Sequence, residues 1–157
     1  MAYPLALLWP GATREPYAKL AQEKYLALLR RYAKVEIREL APPRGVANGP
    51  PARYISAEDQ RLVAAVRPGE HLLLLDPAGR EYDSIALSRR LGAIFLSSRR
   101  PVFAICGPHG AGPLMGKRAD ERLSLSRLTL AHDLARVVLF EQIYRALDLL
   151  QGGPYHK

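Results

Sequence analysis

The spacing of apolar and polar positions changes several times along the chain, and each change marks an element. Pro4 to Leu8 is continuously apolar and reads as a buried strand. Glu15-Pro16 opens a helix, with the proline near its first turn, and Tyr17, Leu20, Ala21, Lys24, Tyr25, Leu28 and Leu29 then recur at helical spacing. Val35 to Leu40 alternates with period two, the pattern of a half-exposed strand. His71 to Leu75 and Pro101 to Cys106 are continuous apolar strands, and Ile85, Leu87, Leu91, Ile94 and Phe95 form the apolar set of a helix starting at Asp83 or Ser84. A short helix is predicted around Leu114 to Ala119 and a short strand near Arg122 to Leu125. The longest helix spans about His132 to Leu150 and is stopped by Gly152-Gly153.

Punctuation between these runs is rich in proline and glycine. Ala41 to Arg53 reads as a loop, Ser56-Ala57-Glu58-Asp59 as the cap of a short helix reaching about Val66, and Asp76 to Arg80 as a turn. Continuous apolar strands alternating with helices predict an α/β fold, a mostly parallel sheet with helices on both faces, in one domain over residues 1–157. Ligands in such sheets bind beyond the carboxyl ends of the strands. Here those ends are Asp76 to Arg80 and Gly107 to Gly112.

Composition narrows the classes. No apolar run approaches the roughly 20 residues of a membrane span, and the apolar start Met1 to Trp9 reads as a strand, not a signal peptide. Cys106 is the sole cysteine, which forbids an intramolecular disulfide and favours the cytoplasm. A net charge of +8 and a pI near 9.9 point to a polyanionic partner, nucleic acid first. Most of the 23 basic residues are arginine, which suits phosphate, although arginine and proline richness also fits genome composition or thermal adaptation.

Candidate chemistry gathers late in the chain. Gly107 to Gly112 is Gly-x-x-Gly-x-Gly, neither a Walker loop nor a dinucleotide fingerprint, and serves as a ligand-contacting loop or a tight strand-to-helix turn. Cys106 reads as a small buried hydrophobe. His71, His109, His132 and His156 lack metal-ligand spacing, so no metal is predicted. In the last helix His132 and Arg136, then Glu141 and Arg145, lie four apart among apolar residues on most sides, a pattern for a central or interfacial helix. Ser124, Ser126 and Thr129 fit strand-end caps or ligand contacts equally. Tyr155-His156-Lys157, taken alone, reads as a frayed terminus.

These residues resemble the ribosomal RNA large subunit methyltransferase H family, of the SPOUT class of knotted methyltransferases. The resemblance covers essentially the whole chain. Its strongest carriers are Leu74-Leu75-Asp76-Pro77-Ala78-Gly79-Arg80, Phe103 to Gly110, and Leu123 to Thr129 with His132, Leu134, Arg136, Glu141-Gln142, Tyr144-Arg145-Ala146 and Tyr155-His156-Lys157. Glu15-Pro16-Tyr17, Arg31-Tyr32-Ala33 and Glu58 support it in the first half.

The resemblance implies a C-terminal deep trefoil knot, an exception to the rule that chains do not knot. It implies a homodimer whose active sites are completed across the interface. It implies methyl transfer from S-adenosyl-L-methionine to N3 of a pseudouridine in 23S rRNA, with the assembled 70S ribosome as substrate. Leu74, Leu75, Gly107, Gly110, Leu123, Ser124, Leu125, Ser126, Arg127 and Leu128 match the cofactor-binding positions. His132, Arg136 and Glu141 match substrate-binding positions, and Arg145, Tyr155 and His156 match catalytic ones. His156 is the first candidate for proton acceptor.

Four departures accompany the match. Cys106 stands where the family has a second glycine, Ala131 where it has proline, Trp9-Pro10-Gly11 replaces a Gly-Lys turn, and the 41–53 loop is rich in proline. The alternative from another class is a non-catalytic ribosome-binding or assembly factor, against which the intact Tyr155-His156 tail argues. A nucleotide-binding regulatory domain would need phosphate-loop residues that are missing.

Overall fold

A computed structural model describes residues 1–46 and 48–157. Five strands form one wholly parallel sheet: β1 (Tyr3–Pro10), β2 (Ala33–Leu40), β3 (His71–Glu81), β4 (Pro101–Ala104) and β5 (Glu121–Ser124), in the spatial order β2-β1-β4-β3-β5. Helices α1 (Pro16–Leu29), α2 (Pro51–Ala64), α3 (Ser84–Leu96), α4 (Pro113–Arg118) and α5 (His132–Leu150) make the crossovers. The α/β architecture is the one the sequence pattern predicts.

β1 shows why both faces need cover. Its side chains alternate across the sheet, so Leu5, Leu7 and Trp9 enter one core with α1, α3 and α5, while Ala6 and Leu8 enter the other with α2 and α4. All five are fully buried. A strand covered on both sides must be apolar at consecutive positions, which is the pattern seen in β1, β3 and β4. No helix among the described residues is long and apolar enough to cross a membrane.

Two local expectations are corrected. α2 starts at Pro51, five residues before Ser56, because proline at the first helical position lacks only an N–H that has no intrahelical acceptor there. The predicted 41–53 loop therefore ends at Pro50, and its residue 47 lies outside the described residues. The predicted turn at Asp76 to Arg80 is an irregularity inside β3. Leu123 of β5 pairs with both Leu75 and Arg80, so the intervening residues bulge out of the ladder. Asp76 Oδ1 accepts the Ala78 N–H at 2.9 Å, which turns the chain at the start of the bulge. At its end, a Cβ on Gly79 would lie 2.8 Å from the Arg122 carbonyl carbon, so only glycine permits this approach of the two backbones.

Candidate active site

Beyond the carboxyl ends of β3, β4 and β5 lies a cleft of about 290 Å³. One wall comes from Leu75 to Pro77. A second is the loop from Ile105 to Ala111, and a third the segment from Leu125 to Leu130 with His132 and Ala135 of α5. The location is the one expected for ligands of parallel sheets. Of the predicted cofactor positions, Leu75, Gly107, Gly110, Leu125, Ser126 and Leu128 line this cleft. Leu74 is fully buried beneath it, and Leu123 and Ser124 are buried in the adjoining β5. Arg127 projects into solvent.

The glycine loop is held from behind. Glu58 Oε1 accepts the Gly107 N–H at 2.9 Å. Asp59 Oδ2 and Oδ1 accept the N–H groups of Leu114 and Met115, both at 2.8 Å, at the start of α4. Sequence reasoning treated these acids as part of a helix cap. They lie in mid-helix and face inward, on the stripe shared with Ile55 and Leu62. Two acids at inward positions of an amphipathic helix are the pattern that could have revealed them.

Cys106 packs in the α2/α4 core with Leu8, Leu74, Ala104 and Met115, and also forms part of the cleft wall. Burial, followed by the charges of Glu58, Asp59 and Asp76, pushes its thiol up to about 12. The reading of Cys106 as a small buried hydrophobe agrees with this surrounding.

A second polar cluster lies along the second half of α5. Arg145 donates to Glu141 Oε1 from Nε at 3.0 Å and from Nη2 at 2.6 Å. Its guanidinium stacks over the Tyr155 ring, 4.6 Å from the centroid, and its Nη1 lies 3.5 Å from His156 Nδ1. The Tyr155 hydroxyl donates to the same Glu141 oxygen at 3.1 Å, and its ring meets Tyr144 edge-on at 4.8 Å. Burial, with Tyr25 and Glu141 behind it, raises the Tyr155 hydroxyl to about 12, so it stays protonated at neutral pH. Glu141 raises Arg145 and keeps it a fixed cation.

The tail is therefore docked, against the frayed end that its residues alone suggest. Its anchor is Asp148, fully buried near the end of α5. Asp148 Oδ2 accepts the Tyr155 N–H at 2.9 Å, Oδ1 accepts the Tyr32 hydroxyl at 2.8 Å, and its carbonyl accepts the Gly153 N–H at 2.8 Å. Sequence reasoning missed Asp148 and gave Tyr32 no role beyond carrying the resemblance. The visible sign of the first was a lone acid between Leu147 and Leu149.

Arg136 sits apart from both clusters. It is buried, stacks 4.8 Å over Trp9, and donates to the Pro10 carbonyl at 2.9 Å and to Thr13 Oγ1 at 3.2 Å. Burial lowers its pKa, with Asp133 and Glu39 acting against that. In a single chain it braces the turn after β1. His132 lines the cleft, and Glu141 belongs to the tail cluster, so the three predicted substrate residues fall in three places.

A family model described as "Predicted SPOUT methyltransferase" matches residues 4–156. The chain belongs to the SPOUT methyltransferase family, in the branch named ribosomal RNA large subunit methyltransferase H. The protein of that name from Anaeromyxobacter sp. (strain K) is 40% identical over 147 residues, 94% of this chain and 95% of its own length. Those of Maridesulfovibrio salexigens and Porphyromonas gingivalis are 35% and 34% identical over 153 residues, covering 97% of this chain and 97% and 98% of themselves. Membership in the SPOUT family implies the knotted C-terminal segment expected from the sequence, and the strand pairing shows the parallel sheet in which it would lie.

Proposed function

We propose that this protein transfers a methyl group from S-adenosyl-L-methionine to N3 of a pseudouridine in 23S rRNA of the assembled 70S ribosome, in the cytoplasm and as a homodimer. The observation that carries this reading is the separation of the two polar sites along α5. From Ala135 at the cleft to Glu141, which holds the Tyr155 hydroxyl, the helix rises about 9 Å, and from His132 to Arg145 about 20 Å. No methyl transfer spans either distance, so the tail of one copy would serve the cleft of another. Leu128 and Leu134, exposed apolar side chains beside the cleft, support a protein interface there.

The cleft fits the methyl donor. Gly107 and Gly110 carry no side chain into it, so the chain can approach a bent ligand closely, and Leu75, Leu125 and Leu128 offer apolar surface with backbone groups between. When bound, S-adenosyl-L-methionine supplies a methyl carbon activated by a sulfonium. The protein's part is orientation and proton handling. The tail residues would meet the base: Tyr155, protonated, positions or stacks on it, and Arg145 stabilises the charge that develops as the imide loses its N3 proton. His156 is the group assigned to accept that proton. Basic residues outside the ion pairs supply attraction to rRNA.

The test is transfer of radiolabelled methyl from S-adenosyl-L-methionine to unmethylated 70S ribosomes, with protein-free 23S rRNA alongside. Label should enter ribosomal but not free RNA, and His156→Ala and Tyr155→Phe should label slowly. Wild-type rates from both variants would remove the tail from the mechanism. No label from a folded, dimeric protein would overturn the enzyme reading in favour of a binding factor.

A further inference from the structure

Glu58 and Asp59 are buried to 5% and 2% exposure. Among the described residues neither forms an ion pair: their hydrogen-bond partners are backbone N–H groups, and the neutral Tyr54 hydroxyl, raised by burial and by Glu58, lies beside Glu58. Asp59 uses both oxygens. Glu58 uses only Oε1, while Oε2 is buried without a partner. A Cβ on Gly107 would lie 2.5 Å from that Oε2, so the carboxylate rests directly against the backbone of the cleft wall.

The charged groups of the cleft itself compensate one another. Asp76 and Arg122 both line it and pair at 2.8 Å, and the other titratable residues of its wall are His132 and Cys106. The two α2 carboxylates are therefore the uncompensated charges behind the wall. In a protein of net charge +8 this is a local reversal of sign. Burial first, then the charges of Glu58, Asp59 and Asp76, oppose ionisation of the Cys106 thiol in the same wall.

We propose that Glu58 is a specificity-determining residue: its uncompensated carboxylate favours the cationic sulfonium ligand over the neutral thioether left after methyl transfer, while its bond to Gly107 positions the loop. The proposal rests on the cleft being the methyl-donor site. A buried charge acts through a medium of low polarity and is weakly screened there. The sulfonium and the thioether share their adenosine and amino-acid parts and differ by a methyl group and one positive charge. A change in their affinity ratio therefore isolates that charge, and the ratio tips toward product release once the methyl has left.

Two variants separate charge from hydrogen bond. Glu58→Gln keeps an oxygen for the Gly107 N–H and removes the charge. Glu58→Asp keeps the charge and withdraws it from Gly107. Isothermal titration of S-adenosyl-L-methionine and of S-adenosylhomocysteine into each full-length protein gives the ratio directly. Expected for Glu58→Gln is a shift of about tenfold toward the thioether, with thioether affinity within about twofold of wild type. Expected for Glu58→Asp is a fall in both affinities at a ratio near the wild-type one. An unchanged ratio in Glu58→Gln, or an equal shift in both variants, overturns the proposal. If Glu58→Gln does not fold, Glu58→Ala replaces it as the charge-removing variant: a ratio shifted toward the thioether supports the proposal, and a ratio near the wild-type one overturns it. Failure of either compound to bind the wild-type protein overturns the methyl-donor reading as well, a result distinct from an unchanged ratio.

Discussion

Asp148 holds Tyr155 by its backbone: the buried carboxylate accepts the Tyr155 N–H at 2.9 Å while its other oxygen accepts the Tyr32 hydroxyl. The three C-terminal residues thus take their position from α5 and from the turn before β2, not from contacts of their own side chains alone. Gly153 makes this possible, because a Cβ there would collide with the Asp148 carboxylate.

Asp148→Ala leaves a buried hydroxyl and a backbone N–H without their acceptor. The expected loss of stability is about 2–3 kcal/mol, read from the midpoint of urea unfolding. Hydrogen exchange at Tyr155 should accelerate as the tail releases. Methyl transfer should fall at least as far as in His156→Ala, since both tail residues assigned to the base lose their anchor.

Gly79→Ala inserts a methyl group against the backbone of β5, which has no flexible end to give way. A destabilisation of about 1–3 kcal/mol is expected, the usual range for overpacking. Its distinguishing mark is a loosened β3/β5 edge. Exchange of the β5 amides should rise before that of β1, and a thermal melt with site-resolved exchange would show whether it does.

Acid should unfold the protein through its carboxylate–arginine networks. Arg38 above all, then Arg100 and Arg67, hold the Glu36 carboxyl at about 2 against an ordinary 4.5. Burial pushes Asp120 up, but hydrogen bonds from Arg99, the Leu72 N–H and Arg118 outweigh it and hold that carboxyl at about 2. A folded pKa below the unfolded one adds stability that is complete above the unfolded pKa and lost as pH falls through the folded one. The urea midpoint should therefore be flat down to about pH 5 and drop between 4.5 and 2, the ordinary and folded values for Glu36. Glu36→Gln should make that acid limb shallower. Both groups are partly exposed, so added salt should weaken the effect.

Cys106 should resist modification. Its thiol is buried and pushed up to about 12, and the thiolate is the reactive form. Labelling by a soluble aromatic disulfide at pH 8 should be on the order of a hundredfold slower than for free cysteine, and should become fast in urea. Fast native labelling would place the sulfur in the cleft and not in the core.

Much of the site was legible before the fold was known. The resemblance pointed to Leu75, Gly107, Gly110, Leu125, Ser126 and Leu128, which line the cleft, and also to Leu74, Leu123, Ser124 and Arg127, which do not. Glu58 and Asp59 were harder to read, because acids near a helix start look like caps until Pro51 is seen to begin the helix. Arg136 shows the reverse case. The resemblance groups it with His132 and Glu141, whereas within one chain Trp9, Pro10 and Thr13, distant in sequence, hold its guanidinium.

By itself the sequence determined the alternation of strands and helices, the two-sided burial of the sheet, the basic surface and the family. These follow from periodicity, composition and long local motifs, which act between neighbours along the chain. Only the tertiary structure decided which buried acids hold which backbone groups, that the tail is docked on Asp148, and that within one chain the cleft and the tail cluster use separate stretches of α5. Those relations join residues up to 116 positions apart, as Tyr32 is from Asp148. Chain closure over such lengths leaves no local pattern from which to read the pairing.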